Sequence, residues 1–467
     1  MNIRLFNTMD RSIEQVEPIE SGKIAMYACG PTVWNYAHIG NLRTYLFEDL
    51  LRRTFEYAGY EVNHVMNITD VGHLTDDSDD GEDKMVKGAR ESGRTVWEIA
   101  EHYTDAFFRD TDALNILRPH TSCRATDHVD EMIRIIKQLE DRGYAYESGG
   151  NIYFETSKSE SYGRLALLDR QELQDGARVP VDRNKRNSSD FALWFTKSKF
   201  KNQVMLWDSP WGRGYPGWHI ECSAMSMKYL GDRIDIHCGG VDHVAVHHTN
   251  EIAQSEGATG RKWVNVWAHG EFLLTDSEKM AKSGENFLTL SVLQSRGFDP
   301  LDYRYFCLGA HYRSQLKYTD EAMRSARAGR LNLVHRVRRL GQTTSKRADL
   351  GAVGSYQSEI RTHLFSDLGI PQALATLWKM LHDDSVSDPD KLSVALDADR
   401  VLGLEFDRAT DRGTIDPKFE ALIRERESAR ANRDFKRADE IRDLLDDAGL
   451  TIEDTPDGTR WTQRDEL

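Results

Sequence analysis

The chain has 467 residues and a formal net charge of -15 at pH 7. That length allows roughly two to four domains around a large core, and the acidic balance excludes a generic polyanion coat while leaving room for the local basic face that nucleic-acid contact needs. The five cysteines are an odd number, so no disulfide framework is expected. No apolar run is long enough to span a bilayer, and the N-terminus lacks a signal-peptide core, so a cytoplasmic protein without a membrane partner is expected.

Ile24 to Ala28 is a short apolar run that reads as a buried strand, stopped by Cys29-Gly30-Pro31. A helical pattern begins near Asn41, with Leu42, Leu46 and Leu50 on one face. Tyr60 to Asn67 reads as the next strand. Strand, loop, helix, strand is a βαβ unit. Its loop lies where a strand ends and a helix begins, and free N–H groups and the helix dipole favour a phosphate there. Into this loop the sequence puts a thiol, Cys29, read as a metal ligand, and an imidazole, His38, read as an ATP-handling group.

Asp76 to Asp83 follow as an acidic loop. A calcium loop would need a glutamate where Lys87 stands, so a solvated loop is expected. Thr126 to Arg142 predicts a helix, with Val129, Met132, Ile133, Ile136 and Leu139 on the helical period and Gly143 as its stop. Between Tyr144 and Ser209, β-like runs (Asn151 to Phe154, Phe191 to Phe195) alternate with loops such as Arg183 to Arg186. That pattern predicts an insertion in a parallel-sheet domain. The sheet resumes at Arg233 to His237, and 263 to 274 is another strand-like run before the polar loop Thr275 to Asn286. From Asp299 the chain reads as mostly helical. Ala310 to Leu340 carries many arginines, and Leu364 to Leu381 reads as amphipathic. The stretches Gly341 to Ser355 and Thr410 to Asp416 read as linkers. Phe419 to Ala448 reads as a pair of charged helices, then Gly449, a short strand and a turn at Pro456-Asp457-Gly458.

Three constellations carry chemistry. His38-Ile39-Gly40-Asn41 follows a strand and opens a helix. Lys279-Met280-Ala281-Lys282-Ser283 sets two lysines three positions apart in a polar loop, where they can grip a triphosphate and follow charge onto departing pyrophosphate. The third is metal-like: Trp218-His219-Ile220-Glu221-Cys222, then His237-Cys238, Asp242-His243, and His247-His248 with Glu251. His247 and Glu251, four apart, share one helix face as two ligands of one ion should, and Cys29 and Cys222 would complete four. Spacing alone leaves His219, His237, Cys238, His243 and His248 as rivals.

The first two motifs, in this order, resemble the HIGH and KMSKS signatures of class I aminoacyl-tRNA synthetases. Asn41 replaces the second histidine and Ala281 the first serine; neither change removes a lysine. Cys29-Gly30-Pro31-Thr32-Val33, Asn67-Ile68-Thr69-Asp70, Asp190 to Trp194, Gly217 to Met225, His247 to Ser255 and the tail from Arg437 to Trp461 resemble the cysteinyl-tRNA synthetase family along nearly the whole chain. The resemblance implies a zinc ion on Cys29, Cys222, His247 and Glu251, with the substrate thiolate joining them. It implies an amino-acid pocket at Thr69 and Trp218, and ATP with Mg2+ bound by Thr32, Gly40, Asp242 (on the ribose) and Lys282. His38, Asn41, Lys279 and Lys282 are the implied catalytic residues. L-cysteine and tRNA(Cys) are the implied partners, and DNA is not among them. Cys238 departs from the family pattern, which has glycine there, and puts a spare thiol beside the nucleotide pocket.

The implied fold is α/β: a Rossmann-like parallel-sheet catalytic domain (1–125 and 210–298, the latter with the lysine loop) split by a connective insertion (126–209), then a helical bundle contacting tRNA (299–410) and a small anticodon-binding domain (411–467). In that tail Arg424, Arg426, Arg430, Arg433, Lys436, Arg437 and Arg442 form a basic set, and Trp461 offers an aromatic face for a base. A cysteine ligase that joins cysteine to an amino sugar shares the activation half but lacks such a tail. A catalytically silent RNA-binding relative would not need His38, Lys279 and Lys282.

Overall fold

A short antiparallel pair, β1 (Arg4–Asn7) and β2 (Ser12–Gln15), precedes the central sheet. The computed structural model describes residues 2–71, 88, 93–167, 183–197, 203–275, 287–343, 354–410, 417–448, 450–455 and 458–463. The acidic loop, Lys87, the lysine motif 279–283, the turn at 456–457 and most of both linker stretches lie outside these residues.

Five strands build the sheet: β3 (Lys23–Ala28), β4 (Glu61–Ile68), β5 (Thr121–Arg124), β10 (Ile234–Gly240) and β11 (Val264–Gly270). Their order is β11-β10-β3-β4-β5, and every neighbour pair is parallel. All of β10 is buried, as a parallel strand covered on both faces must be. From β3 the chain winds one way through β4 and β5, then crosses to the other side for β10 and β11. The order reverses between β3 and β10, and a crevice opens beyond their carboxyl ends.

The crossover helices are α1 (Ile39–Tyr57), α2 (Val96–Ala113), α3 (Val129–Asp141), α4 (Trp218–Leu230) and α5 (His247–Thr259). The expected helix from Thr126 opens as a 3₁₀ turn, Ala125–His128, before α3 begins. Between α3 and α4 lies an antiparallel sheet of β6 (Ala145–Ser148), β7 (Asn151–Phe154), β8 (Phe191–Phe195) and β9 (Tyr215–Pro216), the last of which falls beyond residue 209. The strand-like run over 263 to 274 divides: β11 ends at Gly270, and β12 (Leu273–Leu274) pairs with β13 (Leu316–Lys317) instead.

Helices then take over: α6 (Leu290–Ser295), α7 (Pro300–Leu308), α8 (Asp320–Thr343), α9 (Gly354–Phe365), α10 (Ile370–Leu381), α11 (Asp388–Leu402) and α12 (Phe406–Thr410). Leu364 to Leu381 is not one helix. Asp367 and Leu368 take φ of 56° and 51° between α9 and α10. The Asp367 carboxylate accepts from the Phe6 amide at 2.9 Å and the Tyr312 hydroxyl at 2.6 Å. These tertiary bonds hold a backbone break that the apolar period does not show, although Gly369 and Pro371 mark it locally.

A buried ion network joins the bundle to α1. Arg304 of α7 donates to Asp49 of α1 at 2.7 Å, to the Leu402 carbonyl at 2.6 Å and to the Leu114 carbonyl at 3.0 Å. Arg53 donates to the same carboxylate at 2.8 Å. The tail is α13 (Pro417–Ala431), α14 (Phe435–Asp447) and a hairpin of β14 (Leu450–Thr455) with β15 (Gly458–Gln463), in which Trp461 pairs with Ile452. Not all of the basic set faces outward. Arg426 is buried, and Arg437 pairs with Glu425 at 2.8 Å and Glu440 at 3.1 Å.

Candidate active site and metal centre

The crevice between β3 and β10 holds a cavity of about 330 Å³. Among its lining are Cys29, Thr32, His38, Gly40, Asn41, Trp218, Asp242 and His247. Eight residues singled out from the sequence thus converge on one space from β3, α1, α4, β10 and α5. Lys279 and Lys282 lie outside the described residues.

The loop after β3 is held by close backbone contact. A side chain at Gly30 would overlap the Asn67 carbonyl oxygen. Instead the Gly30 amide donates to Asn67 Oδ1 at 2.8 Å, and Asn67 Nδ2 donates to Thr69 Oγ1 at 2.8 Å. Asn67 therefore fixes both the turn beside Cys29 and the hydroxyl of Thr69. Thr69 itself is buried and stands behind the cavity wall. On the opposite strand, a Cβ on Gly240 would collide with the Asp242 carboxylate, so glycine lets that carboxylate fold back over the end of β10.

His38 and Asn41 cap α1 reciprocally. His38 Nδ1 accepts from the Asn41 amide at 3.1 Å, and Asn41 Oδ1 accepts from the His38 amide at 3.3 Å. This capping box settles two orphan N–H groups. The capped turn stands at the positive end of the helix dipole, which favours a phosphate.

At the cavity wall formed by Cys29 and His247, donor atoms of Cys29, Cys222, His247 and Glu251 all lie within 4.8 Å of one another, and all four residues are buried. A second set, Cys29, His237, His248 and Glu251, meets the same criterion and shares two members. His237 Nε2 lies 2.9 Å from Glu251 Oε2, and His248 Nε2 lies 3.2 Å from Cys29 Sγ. Glu251 Oε1 stands 2.9 Å from His247 Nε2 but is not aligned to accept a hydrogen bond from it. A buried carboxylate oxygen without a hydrogen-bond donor is costly unless a cation lies beside it. Two thiols, an imidazole nitrogen and a carboxylate oxygen are a donor set suited to zinc.

The electrostatics agree. The hydrogen bond from Cys29 and the nearby His247 draw the Cys222 thiol down to about 6 against the opposing effect of burial. Burial, then Cys222, pushes Cys29 well up. Burial opposes charge on Glu251 too, yet His237 and His247 hold its carboxyl down at about 2. Burial likewise opposes charge on His247, but Glu251 and Cys222 raise it to about 10. The cluster concentrates negative charge that an imidazolium, or a metal dication, must balance.

His248 Nδ1 lies 2.8 Å from His269 Nε2, and His269 Nδ1 lies 2.7 Å from Thr8 Oγ1. His219 Nδ1 lies 2.9 Å from His247 Nδ1. His219, His237 and His248 are thus each within hydrogen-bond distance of one member of the four-residue set, and His243 packs its ring against His247 at 5.3 Å. Cys238 does not open onto the cavity. It is fully buried, and its thiol donates to the Tyr27 carbonyl at 3.5 Å, because the side chain points into the sheet packing between β10 and β3.

Comparison with known proteins sets this geometry in a family. The family described as "tRNA synthetases class I (C) catalytic domain" matches residues 15–328, and "Cysteinyl-tRNA ligase anticodon binding domain" matches residues 412–461. A cysteine--tRNA ligase of Treponema denticola is 50% identical over 489 aligned positions, covering 99% of each chain. The chain belongs to the cysteine--tRNA ligase family. Cysteine--tRNA ligase 1 of Burkholderia lata is 49% identical, with 98% of this chain and 97% of that one covered. The fold also resembles methionyl-tRNA synthetase of Mycobacterium tuberculosis in complex with methionyl-adenylate, with a TM-score of 0.59 at 17% identity, covering 85% of this chain and 94% of that one. The chain is thus a class I aminoacyl-tRNA synthetase with an α/β catalytic core.

Proposed function

We propose that this chain activates L-cysteine with ATP and transfers it to the 3′ end of tRNA(Cys), choosing cysteine through a zinc ion held by Cys29, Cys222, His247 and Glu251. The observation that carries the reading is the convergence of those four donor sets at the wall of the cavity that His38 and Asn41 line. When bound, zinc would supply a soft Lewis acid that takes a thiolate far more readily than an alcohol. That matters because an ordinary pocket separates near-isosteres by only about 1–3 kcal/mol. His237 and His248 serve as the supporting shell, orienting Glu251 and Cys29.

In the first half-reaction a cysteine carboxylate oxygen attacks the α-phosphorus of ATP. A bond from that phosphorus to oxygen forms, the bond to the bridging oxygen breaks, and Mg2+-bound pyrophosphate leaves. His38 and Asn41 stabilise the phosphates through this displacement, and Lys279 and Lys282 follow charge onto the leaving group. Thr32 and Gly40 shape the ATP site, Asp242 binds the ribose, and Thr69 and Trp218 shape the amino-acid pocket; the Trp218 and His247 rings stand 4.8 Å apart. In the second half a hydroxyl of the terminal ribose attacks the acyl carbon and AMP leaves.

The division into a split catalytic domain (1–125, 210–298), an insertion (126–209), a tRNA-contacting bundle (299–410) and an anticodon domain (411–467) fits this reading. So does a cytoplasmic site of action; among the described residues no helix is long and apolar enough to cross a membrane. ATP–pyrophosphate exchange with each of the twenty amino acids tests the reading: cysteine alone should support rapid exchange, and an equal response to another amino acid would overturn it.

A further inference from the structure

Tyr36 is a large aromatic residue left 43% exposed, and it lines the cavity. Its ring does not hang loose. The hydroxyl lies 3.1 Å from His102 Nε2, and the ring meets Tyr103 edge to face at 5.0 Å and 89°. The Tyr36 amide donates to Asn35 Oδ1 at 2.8 Å, which fixes the backbone beneath it. His102 and Tyr103 come from α2, on the β4–β5 side of the crevice, and Tyr103 also lines the cavity. Gly240 and Asp242 enter from β10, on the opposite side. The result is a braced, half-exposed aromatic ring in the loop that carries His38, across the crevice from Asp242, the residue assigned to the ATP ribose.

A braced, half-open aromatic ring suits a flat, unstacked nucleobase, because every base offers a π face and little ordering entropy is lost on contact. Stacking also needs no cation, which fits an entrance on an acidic chain. We propose that Tyr36, braced by His102 and Tyr103, stacks the terminal adenine of the tRNA acceptor strand as it enters for transfer; this rests on the transfer half of the proposed function. Tyr36 is a positioning residue here. The competing occupant is the adenine of ATP, and the assays separate the two.

The test compares the full-length chain with Tyr36→Ala and Tyr36→Phe in two assays, cysteine-dependent pyrophosphate exchange and charging of tRNA(Cys). Loss of one stacked base should lower kcat/KM for tRNA by about 5- to 150-fold in Tyr36→Ala, with exchange unchanged and Tyr36→Phe retaining most of the charging rate. The affinity difference between wild type and Tyr36→Ala should vanish for tRNA lacking its terminal adenosine. Exchange falling in step with charging would assign Tyr36 to ATP and overturn the proposal, as would unchanged charging. A wild-type chain inactive in exchange would instead overturn the function on which the proposal rests.

Discussion

Glu251 Oε1 and His247 Nε2 face each other at 2.9 Å across one turn of α5, buried and out of line for a hydrogen bond. With Cys29 and Cys222 alongside, the four donors form a buried cluster that a dication would bind and stabilise. The account therefore predicts one zinc per chain after chelator washing, measured by elemental analysis, and a lower content in His247→Ala. Full zinc retention in the double variant Cys29→Ala, Cys222→Ala would place the metal elsewhere, with the His237–His248 set the first alternative.

The supporting histidines give a graded prediction. His248 touches Cys29 at 3.2 Å and is itself held by His269. His248→Leu should keep zinc bound but weaken it by about 10- to 100-fold, the usual cost of removing an outer-shell partner. Competition with a chromophoric chelator reads this directly. Complete loss of zinc would instead make His248 a ligand.

How much of this was legible beforehand depends on the residue. The βαβ unit and the i, i+4 pair at His247 and Glu251 were legible in local period and turn residues; the choice of Cys29, Cys222, His247 and Glu251 over their rivals was legible only through the family resemblance. The break at Asp367 was not, because its positive φ is held by Phe6 and Tyr312, which are remote in sequence. Arg426 read as a surface cation on charge alone, whereas the packing of α13 on α14 buries it. The inward turn of Cys238 follows from strand register, which one sequence does not display.

Lys282→Ala should slow adenylate formation by on the order of 100-fold or more, while cysteine binding changes little. Its charge matters most as negative charge builds on pyrophosphate. Exchange kinetics at saturating cysteine read the effect, and an unaltered rate would move that role to another group.

Burial alone would raise the Asp49 carboxyl, but Arg304 and Arg53 hold it below its usual value. A depressed folded pKa means that its contribution to stability is complete above the unfolded value of about 3.9 and is lost as pH falls through the lower folded value. Arg304→Leu should thus cost about 3–5 kcal/mol at neutral pH and progressively less in strong acid. Urea denaturation at pH 7 and pH 3 compares the two; an equal loss at both would mean that packing, not charge, sets the penalty.

Truncation after Thr410 should leave cysteine activation largely intact and cripple transfer. Arg424, Arg430, Arg433, Lys436 and Arg442 are exposed on α13, α14 and the turn between them, where a phosphate backbone could lie. Charging kinetics decide the matter, and a truncated chain that charges tRNA as well as the full one would remove the tail from RNA recognition.

In the proposed function the metal centre, not the shape of the pocket, separates cysteine from serine. Trp218→Phe should weaken activation of both amino acids together and leave their ratio nearly unchanged. The decisive measurement is the ratio of kcat/KM for cysteine and serine in pyrophosphate exchange, taken with zinc-loaded and with metal-depleted enzyme. The account predicts a large ratio in the zinc form that collapses on depletion, mostly through loss of cysteine activation. A ratio that stays as large without zinc would contradict it.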